Sequence, residues 1–202
     1  MSVDGPPVGA PVLRCGEYRL AERKWRNTAA IQRDFGVGIS GVASAPAGTH
    51  YRIIRPGEQT VIFTIGYEKR DGEGLIALLQ GAGVEMLADI RGKPFSRVPD
   101  FREAALRGYC ENARIQYSHW PKLGSTEQLR DALKSSGDFS RFERGFRKHM
   151  KTYGGEELER LAGVAKSKST ALLCYERLHE DCHRSIVADM LADLLDAGIV
   201  AI

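Results

Sequence analysis

Residues 170 to 202 read TALLCYERLHEDCHRSIVADMLADLLDAGIVAI, and they decide the fold. Thr170-Ala-Leu-Leu-Cys174 is a short apolar run of strand length. A polar stretch follows, and then Ile186, Val187, Met190, Leu191, Leu194 and Leu195 recur at helical spacing on one face. Gly198 is the expected helix stop, and Ile199-Val-Ala-Ile202 is a second apolar run. Strand, helix and strand within about 30 residues form a βαβ unit, which predicts a parallel sheet.

The same alternation extends upstream. Val61-Ile-Phe-Thr-Ile65 predicts a strand, followed by a helix through Leu75, Ile76, Leu78 and Leu79 that Gly81 or Gly83 ends. Glu85 to Ile90 predicts the second strand, and the loop RGKPFSRVPDF, with Pro94 and Pro99, excludes a helix directly after it. A helix near Arg102 to Glu111 leads to a third strand, Ile115 to His119. Helical patterns then cover Glu127 to Lys134, Phe139 to Tyr153 and Glu156 to Ala165. The expected fold class is α/β: a three-layer domain over residues 59–202 with a mainly parallel sheet. Residues 1–58 have no sustained period and the small-residue stretch Gly36 to Gly48, and are expected to be an N-terminal extension. Within them a short helix around Leu20 to Arg33 and a strand around Tyr51 to Ile54 are expected.

Composition narrows the class of function. The chain has 202 residues, 43% of them hydrophobic and 27% charged, and no window reaches the roughly 18 consecutive apolar residues of a membrane helix. The first residues lack a basic start followed by an apolar run, so a cytoplasmic protein is expected. Four cysteines without a C-x-x-C pair point to reduced thiols rather than a disulfide framework. Lys and Arg exceed Asp and Glu only within residues 1–58, by 8 to 5, which hints at an anionic partner there. No Walker-type loop is present, and no cofactor is expected.

In parallel sheets, ligands bind beyond the carboxyl ends of the strands. That rule gathers Tyr67, Asp89, Arg91, Ser96, Arg97, His119, Cys174, Glu176, Cys182, His183 and Arg184 on one edge, where they are expected to line one pocket. Cys182, His183 and Arg184 stand at the mouth of the last helix, whose unpaired N–H groups and partial positive charge suit an anion. The same field lowers a thiol's pKa, making Cys182 a candidate nucleophile beside His183, with Glu176 as a proton carrier. Burial as an inert thiol is the plain alternative for Cys182, and is favoured for Cys174. Arg91, Arg97 and Arg184 are candidate anion ligands, joined by Asp89, Tyr67 and Ser96 as substrate-binding residues. Asp89, leaving a buried strand, must accept backbone N–H bonds or pair with Arg91 or Arg97. Cys174, Glu176, Cys182 and His183 carry metal-ligand chemistry, but C-x-E-x5-C-H matches no recurrent zinc spacing and no metal is expected.

These blocks, in this order, resemble domain-of-unknown-function family 488. The resemblance rests on Thr64-Ile-Gly-Tyr67, Asp89-Ile-Arg-Gly-Lys-Pro-Phe-Ser-Arg97 with Phe101, Ile115-Gln-Tyr-Ser-His-Trp-Pro-Lys-Leu-Gly124, Cys174-Tyr-Glu176 and Cys182-His-Arg184. Ile90 and Ser125 depart from it, standing where valine and a second glycine are usual. It covers residues 62 to 202 and implies a Rossmann-like domain without naming an activity. The C-H-R loop is also similar in topology to the anion-binding loops of rhodaneses and cysteine phosphatases, although their C-x5-R spacing is missing. The expected function is therefore an enzyme, a hydrolase or transferase, acting on a phosphate-bearing small molecule or nucleic acid. The alternatives are a non-catalytic nucleic-acid-binding module and sulfur transfer on Cys182.

Overall fold

The computed structural model describes Arg26–Asn27, His50–Tyr51 and residues 60–202. Two short strands, β1 (Arg26–Asn27) and β2 (His50–Tyr51), precede β3 (Val61–Gly66), α1 (Gly72–Gly81) and β4 (Met86–Asp89). Next come α2 (Glu103–Asn112), β5 (Gln116–His119), α3 (Glu127–Ser136) and α4 (Phe139–His149). A π-helical turn, Met150–Gly154, joins α4 to α5 (Gly155–Ala165), and β6 (Thr170–Cys174), α6 (His183–Leu195) and β7 (Gly198–Ala201) complete the chain. One sheet has the order β1-β2-β7-β3-β6-β4-β5, in which the five strands from β7 to β5 are mutually parallel.

Side-chain alternation gives each face its own core. Ile62, Met86, Ala88, Ile90 and Leu172 point to one face, where α4, α5 and α6 pack Phe146, Leu161, Val187 and Leu191 against them. Ile65, Leu87, Ala171 and Leu173 point to the other, against Leu75 and Leu79 of α1 and Leu106 and Cys110 of α2. Each central strand is buried on both sides, which is why β4 and β6 read as continuous apolar runs.

Two details differ from the sequence expectation. α6 ends at Leu195, where Asp196 takes the left-handed conformation (φ 48°); Gly198 instead begins β7. The main chain around Leu20 to Arg33 is strand at Arg26–Asn27, which pairs antiparallel with β2, and Tyr51 pairs with Val200 of β7. The edge of β7 takes up β2, β2 in turn offers its own N–H and C=O groups to β1, and that pairing overrides local helical preference at Arg26–Asn27. The rest of that helix, and Arg52 to Ile54 of the strand expected there, lie outside the described residues. No helix among the described residues is long and apolar enough to cross a membrane.

β6 lies between β3 and β4, whose exits lead through α1 and α2 on one face, whereas β6 exits through α6 on the other. Connections that diverge from adjacent strands open a crevice at the carboxyl edge. Cys174, the last residue of β6, stands at that crevice.

Candidate functional site

Alternation along the end of β6 sorts its polar groups. Cys174 and Glu176, two residues apart in an extended segment, share the α6 face. Tyr175 turns to the opposite face and meets Tyr67 edge-on, with ring centres 5.4 Å apart. Tyr67 N–H and Glu68 N–H donate to the carbonyls of Cys174 and Tyr175, continuing the β3–β6 ladder beyond the strands. Gly66 permits this crossing, because a Cβ there would lie 1.8 Å from the Glu176 carbonyl oxygen.

At the start of α6, Cys182 is extended (φ −126°, ψ 143°) and caps the helix, its Sγ accepting the Arg184 N–H at 3.4 Å. His183 is the first helical residue. The change of backbone between these neighbours lets both side chains point at the end of β6. Cys174 Sγ donates to Glu176 Oε2 at 3.1 Å, and His183 Nδ1 lies 3.5 Å from Cys174 Sγ and 3.8 Å from Cys182 Sγ. The four donor atoms of Cys174, Glu176, Cys182 and His183 all lie within 4.8 Å of one another. On its far side, His183 Nε2–H donates to the Ile90 carbonyl at 3.2 Å. Both thiols and the imidazole are buried, and Glu176 is half-buried.

The electrostatics do not make Cys182 the low-pKa thiolate expected from the helix entrance. Burial, reinforced by the thiol of Cys174, pushes Cys182 well above the ordinary thiol value, outweighing the influence of His183. Glu176 moves the other way. Burial opposes its charge, but hydrogen bonds from Cys182, its own backbone and Cys174 hold the carboxylate ionised below the usual range. Burial also works against a charged His183, yet Cys182 and Glu176 together raise its pKa.

The substrate-binding candidates divide differently from the single pocket expected. Asp89 belongs to the α1/α2 face, since it is in register with Leu173. There its buried carboxylate accepts Arg91 Nε (2.8 Å), Arg91 Nη2 (2.6 Å), the Arg91 N–H (3.2 Å) and the Tyr117 hydroxyl (2.7 Å). Arg91 Nη1 donates to the Phe101 carbonyl (2.9 Å) and the Tyr67 hydroxyl (3.2 Å), and Tyr67 stacks on Phe101 at 4.4 Å. Asp89, Arg91 and Tyr67 thus brace the loops after β3 and β4 to one another. They share the sheet edge with the cysteine cluster but face the other side, because a period of two sends Asp89 and Ile90 to opposite faces. His183 Nε2, bonded to Ile90, links the two networks.

Arg184 is 1% exposed, and its Nη1 and Nη2 donate to the Glu176 and Arg177 carbonyls, while Nε–H has no acceptor among the described residues. It therefore pins the loop between β6 and α6 and leaves a buried positive charge beside the helix start. Ser96 is buried, its Oγ accepting the Val98 N–H at 3.2 Å, whereas Arg97 and Lys93 are exposed. Phe95 (66% exposed), with the Arg102 guanidinium 5.7 Å over its ring, and Tyr175 (50% exposed) also lie on loops of this edge. His119 Nε2–H reaches the Arg91 carbonyl at 2.7 Å and ties β5 to the same loop.

One participant was not singled out from sequence. Tyr117, read as core, completes the shell around Asp89, a placement that depends on its strand register with Leu87. Cys174, for which burial was favoured and a metal-ligand role also weighed, is buried and central to the cluster.

Residues 72–191, from α1 into α6, match the family model described as Domain of unknown function DUF488. The chain belongs to this family. The matched DUF488 region contains every member of both networks except Tyr67, which lies just ahead of it. No curated protein and no solved structure matches the chain.

Proposed function

We propose that the chain is an enzyme, a hydrolase or transferase, that acts on a phosphate-bearing substrate such as a nucleotide or nucleic acid at the carboxyl edge of the sheet. The observation that carries this reading is the convergence of Cys174, Glu176, Cys182 and His183 at the start of α6, beside the buried cation of Arg184. A helix N-terminus and an arginine with no carboxylate partner among the described residues produce a positive potential that favours an anion. Glu176 is held ionised and is the least buried member of the cluster, so it is the group placed to take a proton from water or a substrate hydroxyl. The external ligands are Arg97 and Lys93 for phosphate and the exposed rings of Phe95 and Tyr175 for a base, since Arg91 is engaged within the protein. A cytoplasmic location, where thiols stay reduced, belongs to the same reading.

The test uses a labelled single-stranded oligonucleotide in a salt series, with bis(p-nitrophenyl) phosphate as the turnover probe. Binding should weaken as salt rises, and Arg97→Ala should weaken it further and flatten the salt slope. Glu176→Gln should suppress turnover while leaving binding in place. Steep salt-dependent binding without turnover would replace the enzyme by a binding module, and cyanide-releasable sulfur on Cys182 would replace it by a sulfur carrier. Neither binding nor turnover with any phosphate probe would end the reading.

A further inference from the structure

We infer that Cys174, Glu176, Cys182 and His183 form a tetrahedral site for one divalent transition-metal ion of the zinc class. The donor set is two sulfurs, one imidazole nitrogen and one carboxylate oxygen, a combination that selects zinc over magnesium or calcium, which take oxygen ligands. Zinc bonds of about 2.3 Å to sulfur and about 2.0 Å to nitrogen or oxygen imply tetrahedral edges of roughly 3.5 Å between sulfur and the lighter donors. The structure has 3.5 and 3.8 Å between His183 Nδ1 and the two sulfurs, and 3.1 Å between Cys174 Sγ and Glu176 Oε2. All four donors fall within 4.8 Å of one another, close enough for one ion.

The surroundings carry a second, independent sign. His183 Nε2–H donates to the Ile90 carbonyl, which fixes the ring so that Nδ1 faces the sulfurs; metal-bound histidines are oriented by such an outer hydrogen bond. The Phe146 ring packs edge-on against the imidazole with centres 5.4 Å apart, closing the apolar side. Cys182 and His183, although adjacent in sequence, can both face one ion because the first is the extended cap and the second the first helical residue. Glu176 occupies the solvent-facing corner and is the exchangeable ligand. Its replacement by water would set a carboxylate beside a metal-bound water, an arrangement suited to hydrolysis. The ion's presence, however, does not depend on the phosphate reading.

The full chain, purified with a thiol reductant and without chelator, should hold one equivalent of zinc. Exchange for cobalt(II) should give a thiolate-to-metal charge-transfer band and the intense visible bands of a tetrahedral ion. Cys174→Ser and His183→Gln should abolish both, whereas Cys110→Ala, outside the cluster, should retain them. Should the ligand variants fail to fold, X-ray absorption on the unaltered protein decides: two sulfur and two lighter scatterers support the site. Reduced protein that takes up neither ion, a Cys174–Cys182 disulfide with no metal uptake after reduction, or a cobalt spectrum without thiolate bands would overturn it. Metal retained with no turnover of any phosphate probe would sink only the proposed enzyme, and turnover without metal only the metal site.

Discussion

Replacing Asp89 by Asn changes one oxygen to an amide in a carboxylate that is 0% exposed and accepts four donors. Whichever way the amide is turned, its NH2 meets donors: Arg91 Nη2 and the Tyr117 hydroxyl on one side, or Arg91 Nε and N–H on the other. Arg91, itself 6% exposed, keeps its charge and loses its counter-ion. Breaking a buried pair in this way costs about 3–5 kcal/mol, against the roughly 0–1 kcal/mol of a surface pair. Guanidinium denaturation followed by circular dichroism measures the loss directly. The melting temperature of a domain this size should fall by the order of 10 °C.

A double-mutant cycle tests the cause of the loss. Arg91→Met strands the carboxylate and should cost a similar 3–5 kcal/mol. The Asp89→Asn/Arg91→Met pair removes both charges, so its cost should fall well short of the sum of the singles, with a coupling of about 3 kcal/mol. Tyr117→Phe removes one hydrogen bond to a charged acceptor and should cost about 1.5–3 kcal/mol. An Asp89→Asn loss below about 1 kcal/mol, with additive singles, would mean that water reaches this pair and that it does not brace the loops.

Gly66→Ala should destabilise the chain by more than the usual 1–3 kcal/mol of an overpacked core, because its Cβ meets backbone, the Glu176 carbonyl, at 1.8 Å; wild-type melting would refute the close crossing. Iodoacetamide should label Cys174 and Cys182 slowly in the folded chain at neutral pH, since both are buried and Cys182 is held as the thiol; rapid labelling of Cys182 would restore the nucleophile reading. His179, whose Nδ1 lies 2.9 Å from the Thr64 hydroxyl, is pulled down to about 4 by burial and by Arg184. Between pH 6.5 and about 4 the unfolded chain binds a proton that the folded chain refuses, so His179 makes stability fall on acidification across that window, by at most roughly 3 kcal/mol. His183, with its raised pKa, acts in the opposite direction; subtracting the denaturation profile of His179→Asn isolates the His179 part, and equal slopes for the two proteins would refute it.

The fold was legible wherever one local signal sufficed. Thr170–Cys174 is strand in both readings, since five consecutive buried residues can only be a short apolar run. Asp89 was expected to pair with Arg91 or Arg97 because an unpartnered carboxylate in that position would be too costly, and Arg91 is the partner found. What escaped the sequence depended on strand order and on facing. Nothing local to Cys174 states that β6 inserts between β3 and β4, yet that insertion brings Ile90 O next to His183 and gives the imidazole its orientation. Treating the carboxyl edge as one pocket left out a parity that the strand register supplies. Asp89 and Cys174 lie on adjacent strands in register as Asp89↔Leu173, so Cys174 is offset by one residue and must face the other way. A residue at the end of a parallel strand therefore has to be assigned an edge and a face before it is given partners. Here that second assignment separates the bracing pair of Asp89 and Arg91 from the four donors that face α6.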